Sequence, residues 1–117
     1  MANKSDIGDL KKLVEDFVAE RHWQKYHTAK NLSMSIAIES AELMEHFLWD
    51  NGQESAHTFE AKRKEICNEI ADIMIGCLAL CNRFDVDPAE IIIHKIAEIK
   101  AKYPVDKFVD SKAKYNT

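Results

Sequence analysis

"IESAELM", residues 38–44, sets Glu39 and Glu42 three positions apart in an otherwise apolar run. Thirty positions on, "NEIADIM", residues 68–74, repeats the arrangement with Glu69 and Asp72, and Ala41 and Met44 align with Ala71 and Met74. Residues three apart share a face of an α-helix, which turns about 100° per residue. In a helix over 32–49, Leu32, Ile36, Leu43, Met44 and Phe47 form a broad apolar arc. Met34, Ile38, Ala41 and Trp49 extend it, leaving a narrow wedge for Ser35, Glu39, Glu42 and His46. A helix over 59–83 repeats the picture, with Glu65, Glu69, Asp72 and Gly76 in its wedge. Both helices are therefore expected to be mostly buried, each with a thin acidic stripe.

Outward from this pair the chain reads as all-α, a four-helix bundle. The first helix is expected over 6–26, with Leu10, Leu13, Val14, Phe17 and Val18 at helical spacing, and "HTAKN" breaks the pattern. Asn51-Gly52 ends the second helix, and residues 50–57 form the expected linker. The last helix has Asp87 as N-cap, Pro88 at its first position and Glu90 in its first turn, and stops before Pro104. No segment alternates with the period of a strand. At 117 residues the chain is expected to be one domain, with a core over about 6–106 and a polar tail over 107–117.

Composition agrees: 46% hydrophobic, 31% charged, three glycines and two prolines suit helices better than turn-rich β structure. A net charge of −4 argues against a nucleic-acid polymer as the main partner. Cys67, Cys77 and Cys81 make no CxxC and fall in apolar surroundings, so they are expected to be reduced core residues. "MANKSDIGDL" has no signal-peptide run and nothing approaches 18 apolar residues, so a cytoplasmic protein without a membrane span is expected.

An ExxE on a helix is usually a solvated face. Here the wedges are too narrow for that, and two such stripes packed together would gather four carboxylates that repel unless protonated or bridged by a cation. Carboxylates without a His or Cys partner favour Mg²⁺, or Mn²⁺, over zinc. A di-iron centre would need inward Glu-x-x-His pairs, and the only such spacing, Glu54 to His57, falls in the linker. Mg²⁺ keeps positions open for water and phosphate oxygens, and no GxxxxGK is present to cradle phosphates otherwise. That chemistry suits polyphosphate hydrolysis.

The residues also carry a resemblance. ExxE followed after 26 residues by ExxD, within "AERHWQKYHTAKNLSMSIAIESAELMEHFLW" and ahead of "IIIHKIAEIKAKYPV", resembles the MazG-type all-α nucleoside triphosphate pyrophosphohydrolases over about residues 10–106. The resemblance implies Mg²⁺-dependent hydrolysis of (deoxy)nucleoside triphosphates to monophosphate and pyrophosphate, water attacking the α-phosphorus. It further implies a homodimer or a homotetramer, and the small dCTP pyrophosphatase-like branch is the most similar. Glu39, Glu42, Glu69 and Asp72 then become metal ligands. Glu42, or else Glu39, would orient the water as a base. Lys30, Asn31, Lys95, Lys102 and Tyr103 become candidates for phosphate or sugar contacts, and Trp23, His27 and Trp49 for enclosing the base.

Four positions depart from the pattern: His22 for the usual Asp, Val14 where relatives carry a His, Gly76 where they tend to have Tyr, and Ile99 for a polar residue. The expected centre is intact while the specificity pocket is altered. Ordinary readings compete for the remaining candidates. Trp23 and Trp49 could be packing residues, His27 a loop histidine, and Lys30 and Lys102 solvated lysines. Glu45 and Glu65 extend the stripes, and His46 and His94 read as structural or exposed. For the whole chain, the expected function is clearance of unwanted nucleotides. The alternatives are a dUTPase-like or phosphoribosyl-ATP-type activity, and a non-catalytic helical module that only tolerates a metal.

Overall fold

Asp6 and Asp9 start the first helix by capping each other. Asp6 accepts the Asp9 N–H at 2.8 Å and Asp9 accepts the Asp6 N–H at 3.3 Å, which gives partners to donors that a helix start leaves unpaired. The computed structural model describes residues 6–108, and in it α1 spans Ile7–Glu20. The helix ends earlier than the hydrophobic pattern implied, because His22 takes a left-handed conformation with φ 55°. Histidine is among the few side chains enriched there. A 3-10 turn, Gln24–Tyr26, follows.

Thr28 opens α2, Ala29–Glu45, by accepting the Asn31 N–H at 3.1 Å. The cap moves the start three residues ahead of the expected one, and residues 46–49 form turns in place of a last helical turn. The expected linker is shorter than anticipated: Ser55–Ala61 forms α3, and Lys62 (φ −125°, ψ 31°) separates it from α4, Arg63–Phe84. Asp85, left-handed at φ 56°, closes α4. Asp87 accepts the N–H groups of Ala89 and Glu90 at 3.0 and 3.3 Å and launches α5, Pro88–Lys102, with Pro88 in its first turn. A short α6, Val105–Phe108, follows Pro104. No strand occurs among the described residues, so the class is all-α. Of the expected polar tail, residues 109–117 lie outside the described residues, as do residues 1–5 at the start of "MANKSDIGDL".

The chain divides into two compact units, one ending at Val86 and one beginning at Asp87. In the first, α4 is the axis, with α2, α1 and α3 packed against it. Val18, Leu32, Ile66, Leu78 and Ala79 are its buried residues, Ile66 only 1% exposed. Far apart in sequence, Asn82 donates from its side chain to the Lys11 carbonyl at 3.0 Å and ties α4 to α1. The second unit consists of α5 and α6.

The expected all-round burial of the α2 and α4 pair is not what the chain adopts. Met34, Ile38, Met44, Ile70, Met74 and Ile75 are exposed. Cys67 and Cys77 are exposed thiols and Cys81 is partly covered, so none is a core residue. The reason lies in which faces meet. Gly76 lies against Ile36, and Glu69 and Asp72 lie against Glu39, so the acidic wedges turn inward and much of the apolar arcs outward. Among the described residues no helix is long and apolar enough to cross a membrane.

Candidate metal centre

Helical phase fixes which side chains meet across the seam between α2 and α4. On α2, Ile36, Glu39, Glu42 and His46 recur at three- and four-residue intervals; on α4, Glu65, Glu69, Asp72 and Gly76 do the same. Glu39, Glu69 and Asp72 converge, each offering a carboxylate oxygen within 4.8 Å of the others. Glu39 and Glu69 are half-buried and Asp72 is exposed, so the cluster opens to solvent on one side.

The electrostatics record the crowding. Glu39 is pushed up to about 7, first by a hydrogen bond with Glu69, then by loss of water, then by the charges of Glu42, Asp72 and Glu69. A hydrogen bond between two carboxyls needs a proton on one of them. Neutrality by proton and neutrality by cation are the two ways to hold such groups together. The trio is all oxygen, a donor set that fits a hard divalent ion such as Mg²⁺ or Mn²⁺.

Glu42 lies outside this trio. It lines an open cavity of about 500 Å³ with Glu69, Glu45, His46, Leu48, Trp49 and Lys62. Two of these residues were not read as functional from the sequence. His46 places Nε2 3.5 Å from Glu69 Oε2, and the two side chains are only 19% and 16% exposed. It follows Glu39 by seven residues, so its place on the acidic face was already legible. Lys62 brings a cation to the cavity from the break between α3 and α4, which the hydrophobic pattern did not reveal.

The remaining candidates scatter. Trp49 reaches the cavity and is 91% exposed. Trp23 stacks edge-on against Phe17, centroids 5.6 Å apart, with Arg21 over the Phe17 ring at 4.1 Å. His27 lines a separate cleft of about 130 Å³ with Glu15, Gln24, Asn82 and Arg83. Asn31 donates its side-chain N–H to the Tyr26 carbonyl at 3.0 Å and holds the turn before α2, where Lys30 is exposed. On the second unit, Lys95 lies 3.4 Å from Glu98, and Lys102 lies over the Tyr103 ring at 5.5 Å. Glu65 is exposed and is not part of the trio.

Residues 34–117 match the MazG-like family. The chain is 32% identical over 111 residues to dCTP pyrophosphatase 1 of Rattus norvegicus, covering 93% of this chain and 65% of the rat protein. It is 29% identical to the Homo sapiens protein of the same name over the same shares. The chain thus spans about 65% of the length of these relatives. A pyrophosphatase from Archaeoglobus fulgidus, solved as a crystal structure, superposes with a TM-score of 0.78 at 38% identity, over 84% of this chain and 92% of that one.

Proposed function

Because the chain belongs to the MazG-like family, we propose that it hydrolyses (deoxy)nucleoside triphosphates to the monophosphate and pyrophosphate, using Mg²⁺ or Mn²⁺ at the acidic seam. One observation carries the reading: Glu39, Glu69 and Asp72 gather so closely that Glu39 retains a proton to about pH 7. A scaffold has no use for such an arrangement, whereas a metal-polyphosphate site does.

Glu39, Glu69 and Asp72 would hold the ion from two helices, with Glu42 beside them on the cavity wall. When bound, the metal supplies Lewis-acid stabilisation of charge on the leaving pyrophosphate. Glu42 orients a water for attack on the α-phosphorus and takes its proton. Lys62 on the cavity wall offers a cation to the polyphosphate, and the exposed indole of Trp49 offers an apolar face to the base. A deoxynucleotide, dCTP-like preference is part of the proposal, resting on the names of the relatives. Val14 supplies no side-chain hydrogen bond, so discrimination between bases is expected to be loose.

Exposed apolar surface supports a homodimer or homotetramer. Leu10, Leu13, Phe17, Met74 and Ile75 line an open groove of about 600 Å³ between α1 and α4. On α2, Ile38 and Met44 are exposed as well, and apolar side chains left open to water mark interaction surfaces when they are contiguous. Net charge −4 and the exposed thiols of Cys67 and Cys77 suit work on a cytoplasmic pool of small nucleotides and not on nucleic-acid polymers.

The test is pyrophosphate release from a panel of standard and modified nucleotides, with Mg²⁺ and with EDTA, run beside a Glu39→Gln, Glu69→Gln double variant. Metal-dependent release of pyrophosphate and monophosphate, lost in the variant, is the expected result. Folded protein that turns over no nucleotide would return the chain to the non-catalytic module reading.

A further inference from the structure

Gly76 follows Asp72 by one helical turn on α4, and Ile36 precedes Glu39 by about one turn on α2. The two residues meet. A Cβ on Gly76 would stand 2.9 Å from Ile36 Cγ1 and 3.6 Å from Cδ1. Backbone freedom is not what this glycine provides, since among the described glycines only Gly52 has a positive φ. Inside a helix, glycine is otherwise inferior to alanine. Space is the remaining reason for it.

We propose that Ile36 and Gly76 are positioning residues: their contact lets α2 and α4 close up beside the acids and sets the carboxylate spacing of the centre for a small ion, Mg²⁺, over a larger one, Ca²⁺. The inference rests on the metal-site reading above and goes beyond it to the ion that the spacing selects. Isoleucine is β-branched, and in a helix its χ1 keeps one rotamer in about 90% of cases. Cγ1 therefore cannot swing aside as the end of a flexible chain would. With the β-branched Ile36 opposite it in this chain, a methyl at position 76 has to be met by separation of the helices, by about half an ångström to regain ordinary contact. Along the helix axes Glu39 lies about 4.5 Å from Ile36, and Asp72 and Glu69 lie about 6 and 10.5 Å from Gly76, so the acidic layer moves with the contact. Mg²⁺ demands near-ideal octahedral geometry at about 2.0–2.1 Å, with a tolerance of about 0.2 Å, whereas Ca²⁺ accepts about 2.3–2.6 Å in flexible geometry. Shared between the two sides of an ion, half an ångström lengthens each metal–oxygen distance by about a quarter of an ångström, out of the Mg²⁺ range and to the start of the Ca²⁺ range.

The experiment is calorimetric titration of the full chain with MgCl₂ and, separately, CaCl₂, without nucleotide. It compares wild type, Gly76→Ala, Ile36→Ala and the Ile36→Ala, Gly76→Ala double variant, with folding checked by circular dichroism. The expected result is a Mg²⁺ affinity at least about tenfold weaker in Gly76→Ala, a Ca²⁺ affinity changed by less than about threefold, and Mg²⁺ binding restored in the double variant, in which the obstructing Cγ1 is gone. Equal Mg²⁺ affinity in wild type and Gly76→Ala overturns the proposal, and so does parallel weakening for both ions or a double variant that stays impaired. Should Gly76→Ala not fold, the double variant is read against Ile36→Ala alone. Matching Mg²⁺ affinities there support the proposal, and a loss on adding the methyl overturns it. Wild-type protein that binds neither ion removes the metal-site reading itself, an outcome distinct from all of these.

Discussion

Glu39 and Glu69 share a hydrogen bond across the seam between α2 and α4, and that bond is the largest cause holding Glu39 up near about 7. Its ordinary value of 4.5 applies in the unfolded chain. Between those values the folded protein binds a proton that the unfolded one does not, so stability falls as pH rises. The contribution is fully present below about 4.5 and is lost as pH passes through about 7. Metal-free protein in EDTA is therefore expected to melt at a lower temperature at pH 8 than at pH 6 on account of this group. Glu39→Gln should flatten that part of the profile. Mg²⁺ needs the ionised form, so its binding near pH 6.5 should release on the order of one proton, read by titration calorimetry in buffers of differing ionisation enthalpy.

The ligands and the base are separable by measurement. Glu69→Gln and Asp72→Asn remove oxygen donors and should lower both Mg²⁺ affinity and activity, by at least about a hundredfold. Glu42→Gln leaves the trio in place. It should lower kcat by about 10²–10⁴ while Mg²⁺ affinity changes little. Equal loss of metal binding in all three variants would make Glu42 a ligand and not a base.

His46 supports Glu69 from 3.5 Å away. His46→Leu should weaken Mg²⁺ binding by about tenfold, the scale on which partners of metal ligands act. His46→Gln should recover part of it by offering a donor. Unchanged affinity in His46→Leu would reduce the contact to packing.

Outward-facing Met74, 57% exposed, tests assembly. Met74→Glu adds a charge to the apolar groove and should shift the protein from dimer or tetramer toward monomer in light scattering coupled to size exclusion, with activity falling in parallel. Wild-type protein already monomeric at working concentration would sink the assembly reading.

Asp87 caps α5 through two N–H groups. Asp87→Ala should cost about 1 kcal/mol of stability by chemical denaturation. Because Asp87 makes no part of the acidic cavity, Mg²⁺ affinity of the folded fraction should stay unchanged.

Much of the architecture was legible before any coordinates. Periodicity marked the four long helices, Asp87-Pro88 marked the start of α5, and the paired acids marked the seam. Helix ends were less legible because they turn on single backbone conformations. His22 at φ 55° and Lys62 at ψ 31° stop helices where side-chain pattern continues. The inward acids defeated the burial expectation for a related reason. A wedge reads the same in sequence whether it faces water or another wedge.

What the sequence by itself determined is therefore the set of faces: which residues share a helix side, which acids come in pairs, and which oxygen-rich donor set a metal would meet. Those follow from the 3.6-residue period, a property of one helix alone. Only the tertiary structure decided how two faces meet. It brought Glu39, Glu69 and Asp72 together, set Glu42 beside them with Lys62, and placed His46 against Glu69. It also turned Ile38 and Met74 outward. The spacing between two helices depends on the bulk of the side chains at their contact. Here a missing Cβ at Gly76 against Ile36 fixes that distance, and the functional meaning of that absence emerges only when the second helix is beside it.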